Sequence, residues 1–234
     1  MKTSPVPPGP ENEKEVVRTY FNSIGFERWR RIYGQEDVNV VQRDIRAGHE
    51  RTITLVLDWL QDLPPATTVC DAGCGVGSLC LPLAERGLTV FASDISEQMV
   101  AEAQRRQQER LGPLNNPRFS VSDLESISGR YDAVVCLDVM IHYPEADALR
   151  MLTHLTSLAQ QRLIFSFAPK TPLLNVLKKV GQFFPGASKA TRAYQHSESQ
   201  LVDHLDQLGW KVDRRATIGS RFYFAWTLSL SPKG

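Results

Sequence analysis

The stretch Val69-Cys70-Asp71-Ala72-Gly73-Cys74-Gly75-Val76-Gly77 constrains this chain more than any other. An apolar run meets glycines at alternate positions, G-x-G-x-G, with an acid two residues before the first, which predicts a buried β-strand breaking into a glycine loop at the mouth of a helix. That arrangement is a nucleotide-type cofactor site. A dinucleotide fingerprint reads G-x-G-x-x-G and receives its pyrophosphate on bare backbone N–H groups, whereas here the third glycine comes one residue early and Ser78 follows. Asp71 at the strand end would repel a pyrophosphate but suits a cationic amino-acid group. The register therefore points to S-adenosylmethionine (SAM), held by Asp71, Gly73, Gly75 and Gly77, against the plain alternative of a tight strand-to-helix turn.

With 234 residues the chain can bury a substantial core in one α/β domain. Its net charge of +1 argues neither for nucleic acid nor for a strongly acidic partner. The distribution says more, because no acid falls between Ala148 and Ser197 while Arg150, Arg162, Lys170, Lys178, Lys179, Lys189 and Arg192 do. Such a region attracts carboxylates or an anionic membrane surface, or is an ordinary solvated face. Cys70, Cys74, Cys80 and Cys136 lack paired C-x-x-C spacing, so they read as reduced thiols rather than zinc ligands. Residues 1–10 hold four prolines and no apolar run, as expected of a disordered tail rather than a secretory signal. No apolar stretch reaches the roughly 18 residues of a membrane span.

Apolar residues at three- and four-residue spacing predict a helix from Glu11 to about Tyr33, and a second from a cap at Asp37 to about Leu60. Together, over 11–63, they form an expected helical cap. Strand and helix then alternate: Thr68 to Asp71, a helix from Val76, Thr89 to Ser93, a helix from Ser96, Arg118 to Val121, and Tyr131 to Leu137. That rhythm predicts a parallel sheet with crossover helices. A leucine-faced helix leads to the strand Arg162 to Phe167, after which 170–192 breaks the pattern with paired apolar residues among cations and reads as a lid. A last helix starts near Ser197, with Gln200 completing a capping box. Strands at Trp210 to Ile218 and Arg221 to Leu230, turning at Gly219-Ser220, predict an antiparallel hairpin at the sheet edge.

Asp94 ends the second strand 17 residues past Gly77, where an acid accepts both ribose hydroxyls and Ile95 lies against adenine. Asp123-Leu124 follows the third strand, placing a carboxylate and a hydrophobe at the adenine edge. Met99 and Leu137 complete the expected cofactor set, with Arg46, or Arg43, as partner for the methionine carboxylate of SAM. The structural alternatives are a helix cap for Asp94, a surface turn for Asp123 and a solvated helix face for either arginine.

This pattern, with Val134 to Asp138 at the fourth strand, resembles class I SAM-dependent methyltransferases. The segments Tyr20 to Gly34 and Val41 to His49, then Asp138-Val139-Met140-Ile141-His142-Tyr143-Pro144 and Phe165 to Pro172, are more specific. They resemble the magnesium-protoporphyrin IX methyltransferases of chlorophyll biosynthesis, and the likeness covers nearly everything after Glu13. It implies a Rossmann-like α/β fold, with a mostly parallel seven-stranded sheet and an antiparallel closing hairpin. The implied reaction carries the SAM methyl to one propionate carboxylate of magnesium-protoporphyrin IX and leaves S-adenosylhomocysteine. A carboxylate with a pKa near 4 is already ionised at neutral pH, so alignment matters more than a base. His142, after the fourth strand, and Tyr33, ending the cap helix, are the expected catalytic residues; a strand-to-helix joint and simple ring packing are their structural alternatives. Magnesium is expected inside the substrate and not at a protein site. The porphyrin-binding subunit of magnesium chelatase is an implied partner, and the expected location is cytoplasmic, peripheral on photosynthetic membranes. Two other readings stay open: methylation of another acceptor such as a quinone-precursor hydroxyl, and SAM binding without catalysis.

Overall fold

Seven strands form one sheet: β1 (Thr68–Ala72), β2 (Thr89–Asp94), β3 (Arg118–Val121), β4 (Tyr131–Cys136), β5 (Ala159–Phe167), β6 (Trp210–Gly219) and β7 (Phe224–Pro232). Their order is β3-β2-β1-β4-β5-β7-β6, with β1 to β5 mutually parallel and β7 antiparallel to both β5 and β6. The computed structural model describes residues 10–170 and 193–234. The expected tail up to residue 9 and the expected lid beyond Lys170 lie outside the described residues.

Among the described residues the helices are α1 (Pro10–Phe21), α2 (Ile24–Ile32), α3 (Val40–Trp59), α4 (Cys80–Glu85), α5 (Glu97–Leu111), α6 (Glu145–Leu158) and α7 (Glu198–Gln207). The central strands are largely apolar along their middles because both sheet faces are covered. Val134 and Cys136 face a core shared with Leu152 and Leu155 of α6 and Leu201 of α7, while Ala133 and Val135 face Val56 of α3 and Leu83 of α4. Each such leucine, fully buried, contributes about 1.5–3 kcal/mol. α3 therefore belongs to a sheet-covering layer, and α1 and α2 are the part of the expected cap that lies over the site. No described helix is long and apolar enough to cross a membrane.

Several boundaries differ from expectation for physical reasons. The first helix breaks at Asn22-Ser23, where Ser23 Oγ donates to Thr19 O (2.6 Å) and Asn22 Oδ1 accepts from Ser96 Oγ (2.8 Å). Side-chain bonds of this kind compete with helix continuation. α3 is capped by Asn39, not Asp37, in a reciprocal box with Gln42. α4 starts at Cys80 rather than Val76, since Gly75 (φ 51°) and Gly77 (φ 88°) take left-handed backbone that a right-handed helix cannot include. Ser197 precedes α7 without a capping bond; its hydroxyl meets Ser199 Oγ at 2.9 Å. The closing hairpin turns over 220–223, held by Asp44, which accepts from Ser220 Oγ (2.6 Å) and Phe222 N (2.7 Å). Two cations of the basic run are neutralised from outside it or at its edge: Arg162 by Asp62 (2.8 Å) and Arg150 by Asp147 (2.6 Å). All four cysteines are buried and free.

Candidate active site

Parallel strands bring their carboxyl ends to one edge, where open α/β sheets place ligands. There a cavity of about 250 Å³ is lined by Tyr33, Asp71, Gly73, Gly75, Asp94, Ile95, Met99, Asp123, Leu124, Leu137 and His142, all expected site residues. Gly77 and Arg46 are not among its lining. Gly77 serves the turn and lies against Leu81 and Ala103. Arg46 corrects the sequence reading: its guanidinium donates to Ile32 O, Arg31 O and Glu36 O, each at 2.7 Å, so it holds the end of α2 instead of reaching toward a ligand.

The glycine loop is shaped by what it must avoid. A β-carbon on Gly73 would stand 2.2 Å from Val139 Cγ2, so the loops after β1 and β4 meet only because that position is bare. On Gly75 the same atom would meet nothing within 4 Å, which leaves open room over the loop. Asp94 spans loop and helix, Oδ2 accepting from Gly75 N and Oδ1 from Ser96 N, both at 2.9 Å. Ser96 Oγ in turn accepts from Met99 N, so the cap of α5 is Ser96 and the carboxylate of Asp94 stays at the cavity. Asp71 is buried, and its Oδ2 has no hydrogen-bond partner among the described residues. Burial, then the charge of Asp94, pushes its carboxyl up to about 7. Asp123 Oδ1 accepts from Glu125 N (3.1 Å) and Ser126 N (3.0 Å), so this residue caps the 3-10 turn Leu124–Ser126 while lining the cavity.

Across from the loop, His142 sits in a 3-10 turn after β4 with its ring edge-on to Phe21 of α1, centroids 5.1 Å apart. Burial lowers its pKa to about 4 against the pull of Asp138, so the imidazole is neutral at physiological pH. Tyr33 follows α2, and burial, then Asp138, raises its phenol well above the ordinary range, keeping it an O–H donor. Its backbone carbonyl accepts from Arg106 Nη1 at 2.7 Å.

A buried polar cluster backs these residues. Asp138 (φ 57°) accepts from His49 Nδ1 at 2.8 Å and from the Tyr223 hydroxyl at 2.9 Å, while its own N–H donates to Ser166 Oγ at 2.8 Å. Burial alone would raise its pKa, but the donors from His49, Tyr223 and Ser166 hold it below the usual value and the group ionised. Since a carboxylate only accepts, His49 Nδ1 carries the proton of that bond. The His49 ring stacks on Tyr33 with centroids 4.0 Å apart.

The C-terminal segment of the chain, 136–232, matches the family model described as magnesium-protoporphyrin IX methyltransferase C-terminus, and 69–161 match a general methyltransferase domain. A magnesium-protoporphyrin O-methyltransferase of Synechocystis is 54% identical over 216 residues, 92% of this chain and 94% of that one. The chain belongs to the magnesium-protoporphyrin O-methyltransferase family. The chloroplastic magnesium protoporphyrin IX methyltransferase of Arabidopsis thaliana is 53% identical over 94% of this chain and 72% of its own length. The crystal structure of the Synechocystis PCC 6803 enzyme with bound S-adenosylhomocysteine superposes with a TM-score of 0.87 at 52% identity, covering 94% of this chain and 100% of that chain. The fold of this family member is thus that of a class I methyltransferase.

Sequence reasoning passed over His49, Asp138 and Tyr223 as site residues. His49 enters the sequence reading within the segment Val41 to His49 that carries the resemblance, and among the described residues no group of three or more His, Cys, Asp or Glu forms a metal site. A helix glycine beside it, Gly48, was the available signal, because mid-helix glycine marks a close approach.

Proposed function

We propose that this protein transfers the methyl group of SAM to a propionate carboxylate of magnesium-protoporphyrin IX, giving the monomethyl ester and S-adenosylhomocysteine. The observation that carries the reading is the placement of Tyr33 and His142, both uncharged, at the cavity that also holds Asp71 and Asp94. The residues fit SAM: the unpartnered buried Asp71 Oδ2 suits its ammonium, Asp94 its ribose, the bare Gly75 leaves room for it, and Ile95 and Leu124 offer apolar walls for adenine. When bound, SAM supplies an electrophilic methyl on a sulfonium.

The chain's own part is orientation. A propionate ionises near pH 4 to about 5, so the acceptor arrives as a nucleophile and needs no proton removed. Tyr33 O–H and the neutral His142 imidazole can each donate to a carboxylate oxygen, fixing its direction and leaving lone pairs for attack. Phe21, Val139 and Ile141 supply an apolar surface for a flat macrocycle. A quinone-precursor hydroxyl is a poorer acceptor, because its pKa near 10 would ask for a base while His142 stands near 4. Magnesium belongs to the substrate.

Peripheral contact with photosynthetic membranes and with the porphyrin-binding subunit of magnesium chelatase belongs to the same proposal, supported by the cations Lys170 to Arg192 in the sequence. Co-sedimentation with anionic vesicles tests it. Incubation with SAM and magnesium-protoporphyrin IX, followed by chromatography, tests the reaction: a monomethyl ester is expected, and its absence from a folded, SAM-binding sample overturns the reading.

A further inference from the structure

α3 addresses Tyr33 twice from one face. Arg46 and His49 lie three residues apart, so their side chains emerge side by side. Arg46 holds the carbonyls of Arg31, Ile32 and Glu36 that flank Tyr33, and His49 lies flat against its ring, 4.0 Å away and 25° from parallel. The Trp29 ring also lies beside it, centroids 5.3 Å apart and tilted by 38°.

The imidazole is itself locked. His49 Nδ1–H donates to Asp138, which also takes the Tyr223 hydroxyl, and Tyr223 meets Thr52 Oγ at 2.9 Å. His49 Nε2 is buried and has no hydrogen-bond partner among the described residues. Asp138 occupies left-handed backbone, an arrangement uncommon outside glycine that persists only where surroundings over-determine it. Elements from four parts of the chain, α3, the turn after β4, β5 and the β6–β7 connection, thus converge on one carboxylate to fix one ring. A carboxylate orienting a histidine through Nδ1 is the usual way proteins hold an imidazole in a single tautomer and rotation.

We propose that His49 is a positioning residue for Tyr33: the Asp138–Tyr223 pair locks the imidazole, and the stacked imidazole sets where the Tyr33 hydroxyl meets the substrate carboxylate. This rests on the reading that Tyr33 touches substrate. His49 also lines the cavity, and its part here is played through the Tyr33 ring on which it stacks.

The experiment is a double-mutant cycle on the full chain. His49→Asn keeps a donor near Asp138 and loses the stacked ring; His49→Phe keeps a ring and loses the lock. Each should lower kcat about tenfold with the SAM dissociation constant unchanged, since a small displacement of an orienting group acts on turnover. In a Tyr33→Phe background, which has already lost the hydroxyl, the same His49 changes should cost less than about twofold more. Equal losses in both backgrounds would show a merely structural role and overturn the proposal. Should Tyr33→Phe alone leave kcat unchanged, the reading of Tyr33 fails instead, and the two failures are distinguishable. Independently of activity, ¹⁵N spectra of the wild type should show a proton on His49 Nδ1 in the bond to Asp138; a bare Nδ1 would also overturn it.

Discussion

Gly48 of α3 lies so close to Tyr223 that a β-carbon there would stand 2.4 Å from the ring atoms Cγ and Cδ1. The Tyr223 ring cannot swing aside freely, because its hydroxyl is tied to Asp138 and Thr52. Gly48→Ala gains helix propensity of about 1 kcal/mol, but forcing a methyl into a packed contact costs about 1–3 kcal/mol. The clash should win. A lower thermal midpoint and a reduced kcat are expected, since Tyr223 must retreat from the carboxylate that holds His49; a midpoint above wild type would show the contact to be slack.

Asp71 gives the site a proton linkage. Burial, and then Asp94, pushes its carboxyl up to about 7. Facing the ammonium of SAM it should ionise, so binding below about pH 7 releases a proton and affinity rises with pH until that point, then levels. Calorimetry in buffers of different ionisation enthalpy measures the released proton directly. Proton uptake, or none at about pH 6, would separate Asp71 from the ammonium.

His142 is shifted the other way. With a folded pKa near 4 against an ordinary 6.5, the native state binds fewer protons than the unfolded chain between those values. Its contribution to stability is whole above 6.5 and is lost as pH falls toward about 4. Turnover at saturating substrates should carry no histidine limb between about pH 6 and about pH 8, while kcat/KM for SAM falls below about 7 through Asp71. His142→Ala should lower kcat at least about tenfold with SAM affinity intact. A kcat limb near 6.5 that disappears in His142→Ala would show that the imidazole works as a base.

The strand bounds near the site and the glycine loop were legible because they are local. β3 (Arg118–Val121) matches the expected bounds, and β1 and β2 differ by one residue at the end. Residues read from strand ends converge because parallel strands all point one way, which is why Asp71, Asp94, Asp123 and His142 share one cavity. The His49–Asp138–Tyr223 cluster was not legible, since its members are separated by 89 and 85 residues and no spacing rule joins them. Boundaries failed where a side chain outcompeted periodicity, as at Asn22-Ser23, or where left-handed glycines delayed α4.

Arg46 separates the two levels of reading most sharply. From the sequence it is a partner for the methionine carboxylate of SAM, but in the fold its Nε and Nη2 donate to three carbonyls around the end of α2. Hydrogen bonds from a charged donor contribute about 1.5–3 kcal/mol each when well formed, and partial exposure of two of these discounts them. Arg46→Ala should therefore loosen α2 and lower kcat through Tyr33, while the SAM dissociation constant moves less than about twofold. A direct carboxylate contact would instead weaken SAM by about tenfold or more, one charge-assisted bond's worth. Titration calorimetry beside steady-state kinetics decides: a large loss of SAM affinity with kcat retained restores the ligand role, and the reverse pattern leaves Arg46 as the brace that holds the Tyr33 end of α2 against α3.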